Sequence, residues 1–224
     1  RRQPNLPQYM VCQNAPLLFL PIKSGPDQRI RKWLQGYGTV TSNLDRPALR
    51  KWKAAHPGQR SFAVLRHPLA RAFTAYCDFL EKEWMPELRP YLKRVHKFQL
   101  PPKGKGFATE AEFCDGFKVF LELIRHIFAG RTELRTLAQF ASQSAILQGF
   151  SQLQSPDVLI REDRLQAGLD FLATEAGLEP RSLPDQTDRA PYSLAAIYSP
   201  ALEVLAREAY GRDYTGFGFE DWTA

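Results

Sequence analysis

Hydrophobic positions along this chain fall into short continuous runs separated by amphipathic stretches. The run Leu17-Leu18-Phe19-Leu20-Pro21-Ile22 has no polar interruption, which suits a strand buried on both faces. Lys23-Ser24-Gly25-Pro26 then marks a turn. From Asp27 to Gln35 the apolar residues Ile30, Trp33 and Leu34 share the spacing of one helical face, and Gly36 follows as a stop. The pattern returns downstream. Residues 39–41 predict a second short strand, and 61–65 a buried one. Pro68 suits the first turn of a helix that carries Leu69, Ala72, Phe73, Tyr76 and Leu80 on one face through residue 83. Helices are expected at 109–129 and 131–148, a buried strand at 157–161, its helix at 164–176 closed by Gly177, and a last helix over 199–210. Strands alternating with helices imply an α/β protein with a parallel sheet.

The remaining segments read as irregular. Residues 1–14 are polar and Pro-containing, an N-terminal arm. Residues 86–106, with Pro101-Pro102-Lys103-Gly104-Lys105-Gly106, read as a basic loop insertion within one domain spanning 1–224. The aromatic tail, 214–222, is expected to dock on that domain.

Composition narrows the classes. Apolar residues make up 44% and charged residues 24%, so the chain is globular and not disordered. The longest apolar run, 15–22, is too short for a bilayer, which needs ~20 residues, so no membrane partner is expected. Cys12, Cys77 and Cys114 are odd in number and fit no zinc spacing; a reducing, cytoplasmic setting follows. The chain begins Arg1-Arg2 and not Met, which leaves room for a preceding anchor. The four His (His56, His67, His96, His126) never recur at i, i+4, so no metal site is expected. A net charge of +6 favours an anionic ligand, or simply solubility.

Two stretches could bind such an anion. Lys23-Ser24-Gly25 lies between a strand and a helix, where helix-start amides carry partial positive charge. Lys23 adds a cation, Ser24 a hydroxyl and Gly25 close backbone approach. The competing reading is an ordinary surface loop. Arg66 stands at the carboxyl end of the next strand, the edge at which open α/β sheets bind ligands. Thr74 lies eight residues on, and Arg71 shares its helix face. A guanidinium with a hydroxyl suits a phosphate monoester. The competing reading is an Arg paired with a carboxylate and a Thr bonded back to its own helix.

Taken together, strand–Lys-Ser-Gly–helix followed by strand–Arg66-His67-Pro68-Leu69-Ala70-Arg71-Ala72-Phe73-Thr74–helix resembles the sulfotransferases that use 3′-phosphoadenosine 5′-phosphosulfate, closest to the carbohydrate (membrane-type) and bacterial branch. Val158 to Leu165 is similar to the family's late strand and acidic turn, and 197–219 to its C-terminal signature. The resemblance implies a P-loop-like three-layer fold with a central, mainly parallel sheet flanked by helices. It assigns Lys23, Ser24 and Gly25 to the 5′-phosphosulfate and Arg66 and Thr74 to the 3′-phosphate. It implies sulfuryl transfer from that donor, without a metal, to a hydroxyl or amine, with an anionic glycan among the acceptors. The family has Ser or Thr where this chain has Pro26 and Asp27. Pro26 lacks an N–H, and Asp27 repels an anion or serves the helix start.

Lys23 would stabilise the leaving oxygen, and a base would take the acceptor proton. Between the two motifs the candidates are His56, ranked first, and Asp45. Their competing readings are a solvated turn residue and a helix cap. His67 and His126 read as structural. The basic residues from Arg89 to Lys105 form either an acceptor rim or a solvated face. Two other readings stand beside the enzyme: a degenerate relative binding another nucleotide or none, and a basic nucleic-acid-binding protein. The latter lacks a recognisable motif, so no nucleic-acid partner is expected.

Overall fold

A computed structural model describes residues 8–185 and 190–223. Its elements, in chain order, are β1 (Tyr9–Cys12), β2 (Leu17–Phe19), α1 (Asp27–Gln35), β3 (Val40–Leu44), α2 (Arg46–Ala55), β4 (Arg60–Leu65), α3 (Pro68–Lys82), α4 (Leu88–Val95), α5 (Glu110–Phe128), α6 (Gln143–Ser151), β5 (Val158–Arg161), α7 (Leu165–Glu175), α8 (Leu194–Ile197) and α9 (Pro200–Phe217). The protein is α/β, with a mixed, open, five-stranded sheet and nine helices among the described residues. These residues divide into two compact units: 8–66 with 143–185, and 67–142 with 190–223.

The first unit holds the sheet, in the order β3-β1-β2-β4-β5. β4 runs parallel to β2 and to β5, while β1 is antiparallel to both β2 and β3. Four strands therefore share one direction and β1 alone is reversed. This corrects the reading of 1–14 as an arm: residues 1–7 lie outside the described residues, but Tyr9–Cys12 is a fully buried strand. Its polar flanks, Gln8 and Gln13, hid a four-residue apolar run.

One face of the sheet is covered by α1 and α7. Ile30, Trp33 and Leu34 from α1 and Leu165, Leu169 and Leu172 from α7 pack on Phe19, Phe62, Val64 and Ile160. Each such side chain contributes roughly 1.5–3 kcal/mol on burial. Val11, Leu18 and Ala63, on the alternate positions, are equally buried, which is why these strands read as continuous apolar runs. α2 went unread because only Leu49 and Trp52 are apolar and buried in it. It starts where the Asp45 carboxylate accepts from Ala48 N at 2.8 Å, ahead of Pro47.

The second unit is helical. Tyr76 and Phe73 of α3 meet Phe113 and Phe117 of α5 at centroid distances of 5.2–6.0 Å. Two expectations are corrected here. Residues 86–106 are not all loop, because Leu88, Tyr91 and Leu92 form the buried stripe of α4. The expected helix at 131–148 exists only as α6, from Gln143. Residues 131–142 form no α-helix, and side chains from elsewhere take their carbonyls. Arg71 donates to Ala141 O (2.6 Å) and Ala138 O (3.1 Å), and Tyr210 Oη to Phe140 O (2.8 Å). α9 runs past 210 to Phe217, broken at Tyr210, and the tail folds back: Trp222 N donates to the buried Glu203 carboxylate at 3.0 Å.

Candidate functional site

The loop after β2 is shaped by its own backbone. Gly25 N donates to Ile22 O at 3.0 Å, and Ser24 adopts a left-handed φ of 63°. A Cβ on Gly25 would lie 2.7 Å from Ile22 O, so the turn itself demands glycine. Pro26 is the N-cap of α1 and makes no side-chain cap bond; Asp27 occupies the first turn. The first i→i−4 bond of the helix is Ile30 N to Pro26 O at 3.0 Å, so the amides of residues 27–29 belong to the positive end of the helix. Lys23 is exposed, and Ser24 and Gly25 are half-buried. An anion here would meet an ammonium, a hydroxyl and helix-start amides. Gly25's own N–H is taken, and the Asp27 carboxylate stands close by in sequence.

Arg66 follows β4 and is 8% exposed. The parallel register sets Leu65 opposite Arg161, which brings the next residues, Arg66 and Glu162, to the same sheet edge. Their side chains form a two-point pair, Nε to Oε2 at 2.6 Å and Nη2 to Oε1 at 2.7 Å. Arg66 Nη1 donates to Ser24 O at 3.2 Å, so the two sequence motifs meet through this guanidinium. The Arg66 backbone is clasped by buried Gln143, whose Oε1 accepts from Arg66 N (3.0 Å) and whose Nε2 donates to Arg66 O (2.8 Å). Sequence reasoning missed both Glu162 and Gln143 as parts of this site. The signal for Glu162 was present, a carboxylate one residue past a strand that pairs with β4. Gln143 was hidden inside the misread helix.

The other predicted site residues have the following surroundings. In the first unit, the His56 imidazole stacks on Trp52 and turns Nδ1 to Trp52 O (2.8 Å) and Nε2 to Gln13 O (3.1 Å). It ends α2, and both ring nitrogens face backbone carbonyls. Asp45 caps α2, as described. In the second unit, Thr74 Oγ1 donates to Ala70 O at 3.1 Å, the helix back-bond of the competing reading. Arg71 is 1% exposed and holds the carbonyls of 138–141. His67 is the N-cap of α3: its Nδ1 accepts from Leu69 N (3.2 Å) and its Nε2 pairs with Glu220 O (2.9 Å). His126 stacks against His96 at 5.9 Å. Arg89 is occupied by Glu83 and by Leu100 O and Pro101 O, while Lys103 and Lys105 are exposed.

Among the described residues no group of three or more His, Cys, Asp or Glu side chains is arranged to hold a metal ion, and no helix is long and apolar enough to cross a membrane. Compared with known proteins, the chain matches no family model, no curated protein and no solved structure.

Proposed function

We propose that this chain is a sulfotransferase that takes its sulfuryl group from 3′-phosphoadenosine 5′-phosphosulfate and passes it to a hydroxyl or amine of a separate acceptor. The α/β fold is then of the P-loop-like, three-layer kind. The observation that carries this reading is the 3.2 Å bond from Arg66 Nη1 to Ser24 O. It joins the two anion-binding motifs at the carboxyl ends of the adjacent parallel strands β2 and β4. From β2 the chain departs toward β3 at one sheet edge, and from β4 toward β5 at the other. The crevice between such strands is where open α/β sheets bind nucleotides.

In this reading the acceptor oxygen or nitrogen forms a bond to sulfur as the sulfur–oxygen bond to the 5′-phosphate breaks. The bonding pair leaves on the phosphate oxygen, and the acceptor proton passes to a base or to water. The work is positioning and charge stabilisation. Lys23, with the first-turn amides of α1, faces the 5′ side and meets the charge developing on the leaving oxygen. Arg66 faces the 3′-phosphate. His56 is not the base of this site: held on Gln13 O, it lies at the amino ends of β2 and β4, the opposite sheet edge from Lys23 and Arg66, so the proton passes to water or to a group of the acceptor's own.

A second reading is favoured by Glu162. A carboxylate held at two points on Arg66 cancels much of its charge, so a protein of this fold that binds another ligand or none at the Lys23 loop also fits. Incubation with labelled donor and a panel of saccharide acceptors separates the two. The enzyme releases 3′,5′-adenosine bisphosphate in step with sulfated product, and Lys23→Ala abolishes that release. A panel without acceptor-dependent release supports the second reading.

A further inference from the structure

The two edges of the sheet are not alike. β3, at one edge, shows Thr41 and Asn43 to solvent and is interrupted by a register shift against β1, with Asn43 at a left-handed φ of 59°. Polar side chains and an irregular backbone are common guards of a free edge. β5, at the other edge, has neither: it is regular against β4, and Leu159 is 45% exposed. Asp157 N donates to Ser61 O at 2.9 Å, so it and every second residue after it bond toward β4. Val158 and Ile160 therefore turn their N–H and C=O groups to the open edge.

The helix over this edge matches it. α7 returns across β5, and a Cβ on Gly168 would meet Ile160 Cγ2 at 2.4 Å, so glycine lets α7 sit down on the edge strand. Leu165, Leu169 and Leu172 face the sheet. Gln166 marks the flank toward α1: its Nε2 donates to Arg181 O at 3.1 Å, the carbonyl that Trp33 Nε1 of α1 also reaches at 3.1 Å. The opposite flank carries Arg164, Gly168, Phe171 and Glu175, a stripe at three- and four-residue spacing that overhangs the open edge. Phe171 is 55% exposed. Arg164 and Glu175 are exposed and have no hydrogen bond or ion pair among the described residues.

We propose that this edge pairs with the same edge of a second copy of the chain, about a two-fold axis normal to the sheet. β5 then runs antiparallel to its counterpart, centred on Leu159. Val158 lies opposite the partner's Ile160 and exchanges both N–H···O bonds with it, and the two Leu159 side chains cover each other on the face away from α7. The stripe on α7 is self-complementary about the same axis. Centred between Gly168 and Phe171, it sets each Phe171 against the partner's Gly168 and each Arg164 against the partner's Glu175, opposite charges at both ends of an apolar contact. The two centres coincide. Gly168 lies over Ile160. From that level Leu159 is one residue back along β5, about 3.3 Å, and the middle of the stripe is one and a half residues on along α7, about 2.3 Å. Strand and helix run oppositely, so both shifts point the same way and agree to about 1 Å. The contact is isologous and closes as a dimer. It does not rest on the sulfotransferase reading.

Sedimentation equilibrium of the full chain tests the pairing. A reversible monomer–dimer equilibrium is expected, with a Kd below about 100 μM. Leu159→Lys sets two ammonium groups beside the axis and Phe171→Glu removes the central apolar contact; each should raise Kd at least ~10-fold. Arg164→Glu and Glu175→Arg each set like charges opposite one another and should weaken the dimer about tenfold. The double variant Arg164→Glu/Glu175→Arg restores every pair across the axis and should recover the parent's affinity. All four positions are exposed, so the far-UV spectra should not change. Four results overturn the proposal: a parent that stays monomeric at about 200 μM, assembly that continues past the dimer, a dimer indifferent to Leu159→Lys and Phe171→Glu, or a double charge variant that associates no more tightly than either single one.

Discussion

The guanidinium of Arg66 meets the carboxylate of Glu162 at two points, 2.6 and 2.7 Å, with side chains only 10% and 20% exposed. A pair this enclosed differs from a surface ion pair, whose worth is ~0–1 kcal/mol. Removing one partner leaves a buried charge uncompensated. Glu162→Gln keeps the shape and one acceptor, and should lower stability in urea by about 1–3 kcal/mol. A change within ~0.5 kcal/mol would mean that the pair behaves as a solvated surface contact.

Gly25 is fixed by a carbonyl and not by a ligand. Gly25→Ala would place a methyl 2.7 Å from Ile22 O, backbone that cannot step aside without moving the end of β2. The expected cost is about 1–3 kcal/mol, as for other overpacked sites. A variant as stable as the parent would show that the turn is already looser than this geometry.

Arg71 holds a segment that has no helix of its own. Arg71→Met retains the stem and removes donors from Ala138 O and Ala141 O. Amide exchange in residues 131–142 should then quicken well beyond that of α5, whose bonds are its own. Uniform quickening across the unit would instead indicate a loss of global stability.

His96 makes the second unit sensitive to acid. Its side chain is 10% exposed, its Nε2 has no partner among the described residues, and Glu122 stands 3.9 Å from Nδ1. Burial lowers its pKa from the ordinary 6.5; the Glu122 carboxylate pulls it back up, and neighbouring His126 presses it further down. The folded state thus binds this proton less readily than the unfolded chain. Its contribution is whole above 6.5 and is lost as pH falls below that value toward the lowered folded pKa. His96→Phe should flatten unfolding free energy against pH in that interval, by at most about 1.36 kcal/mol per pH unit. An unchanged slope would assign the acid sensitivity to other groups.

The strands and helices that bracket the site were legible because each is either continuously apolar or cleanly periodic. α1 and β4 appear where Ile30, Trp33 and Leu34, and Phe62 to Leu65, demanded them. β1 was lost because four buried residues between polar flanks carry too little pattern. The misread stretch 131–142 is apolar enough for a helix, but Arg71 and Tyr210 satisfy its carbonyls, and that substitution is invisible in local sequence. At the site the residue types were legible and their partners were not. Arg66 was found by its place at a strand end, whereas Glu162, 96 residues away, reaches it only through the pairing of β4 with β5.

Under the proposed function, the loop at Lys23 and the side chain of Arg66 form one nucleotide site. Calorimetric titration with 3′,5′-adenosine bisphosphate tests it most directly, on the parent chain, Lys23→Ala and Arg66→Lys. Lysine keeps the charge and loses the fork, which guards against a merely unfolded variant. Micromolar binding by the parent is expected, with both variants folded and weaker by about tenfold or more, the worth of one charge-assisted bond. A folded parent that does not bind, or binding that ignores both substitutions, would mean that Lys23 and Arg66 form no such nucleotide site.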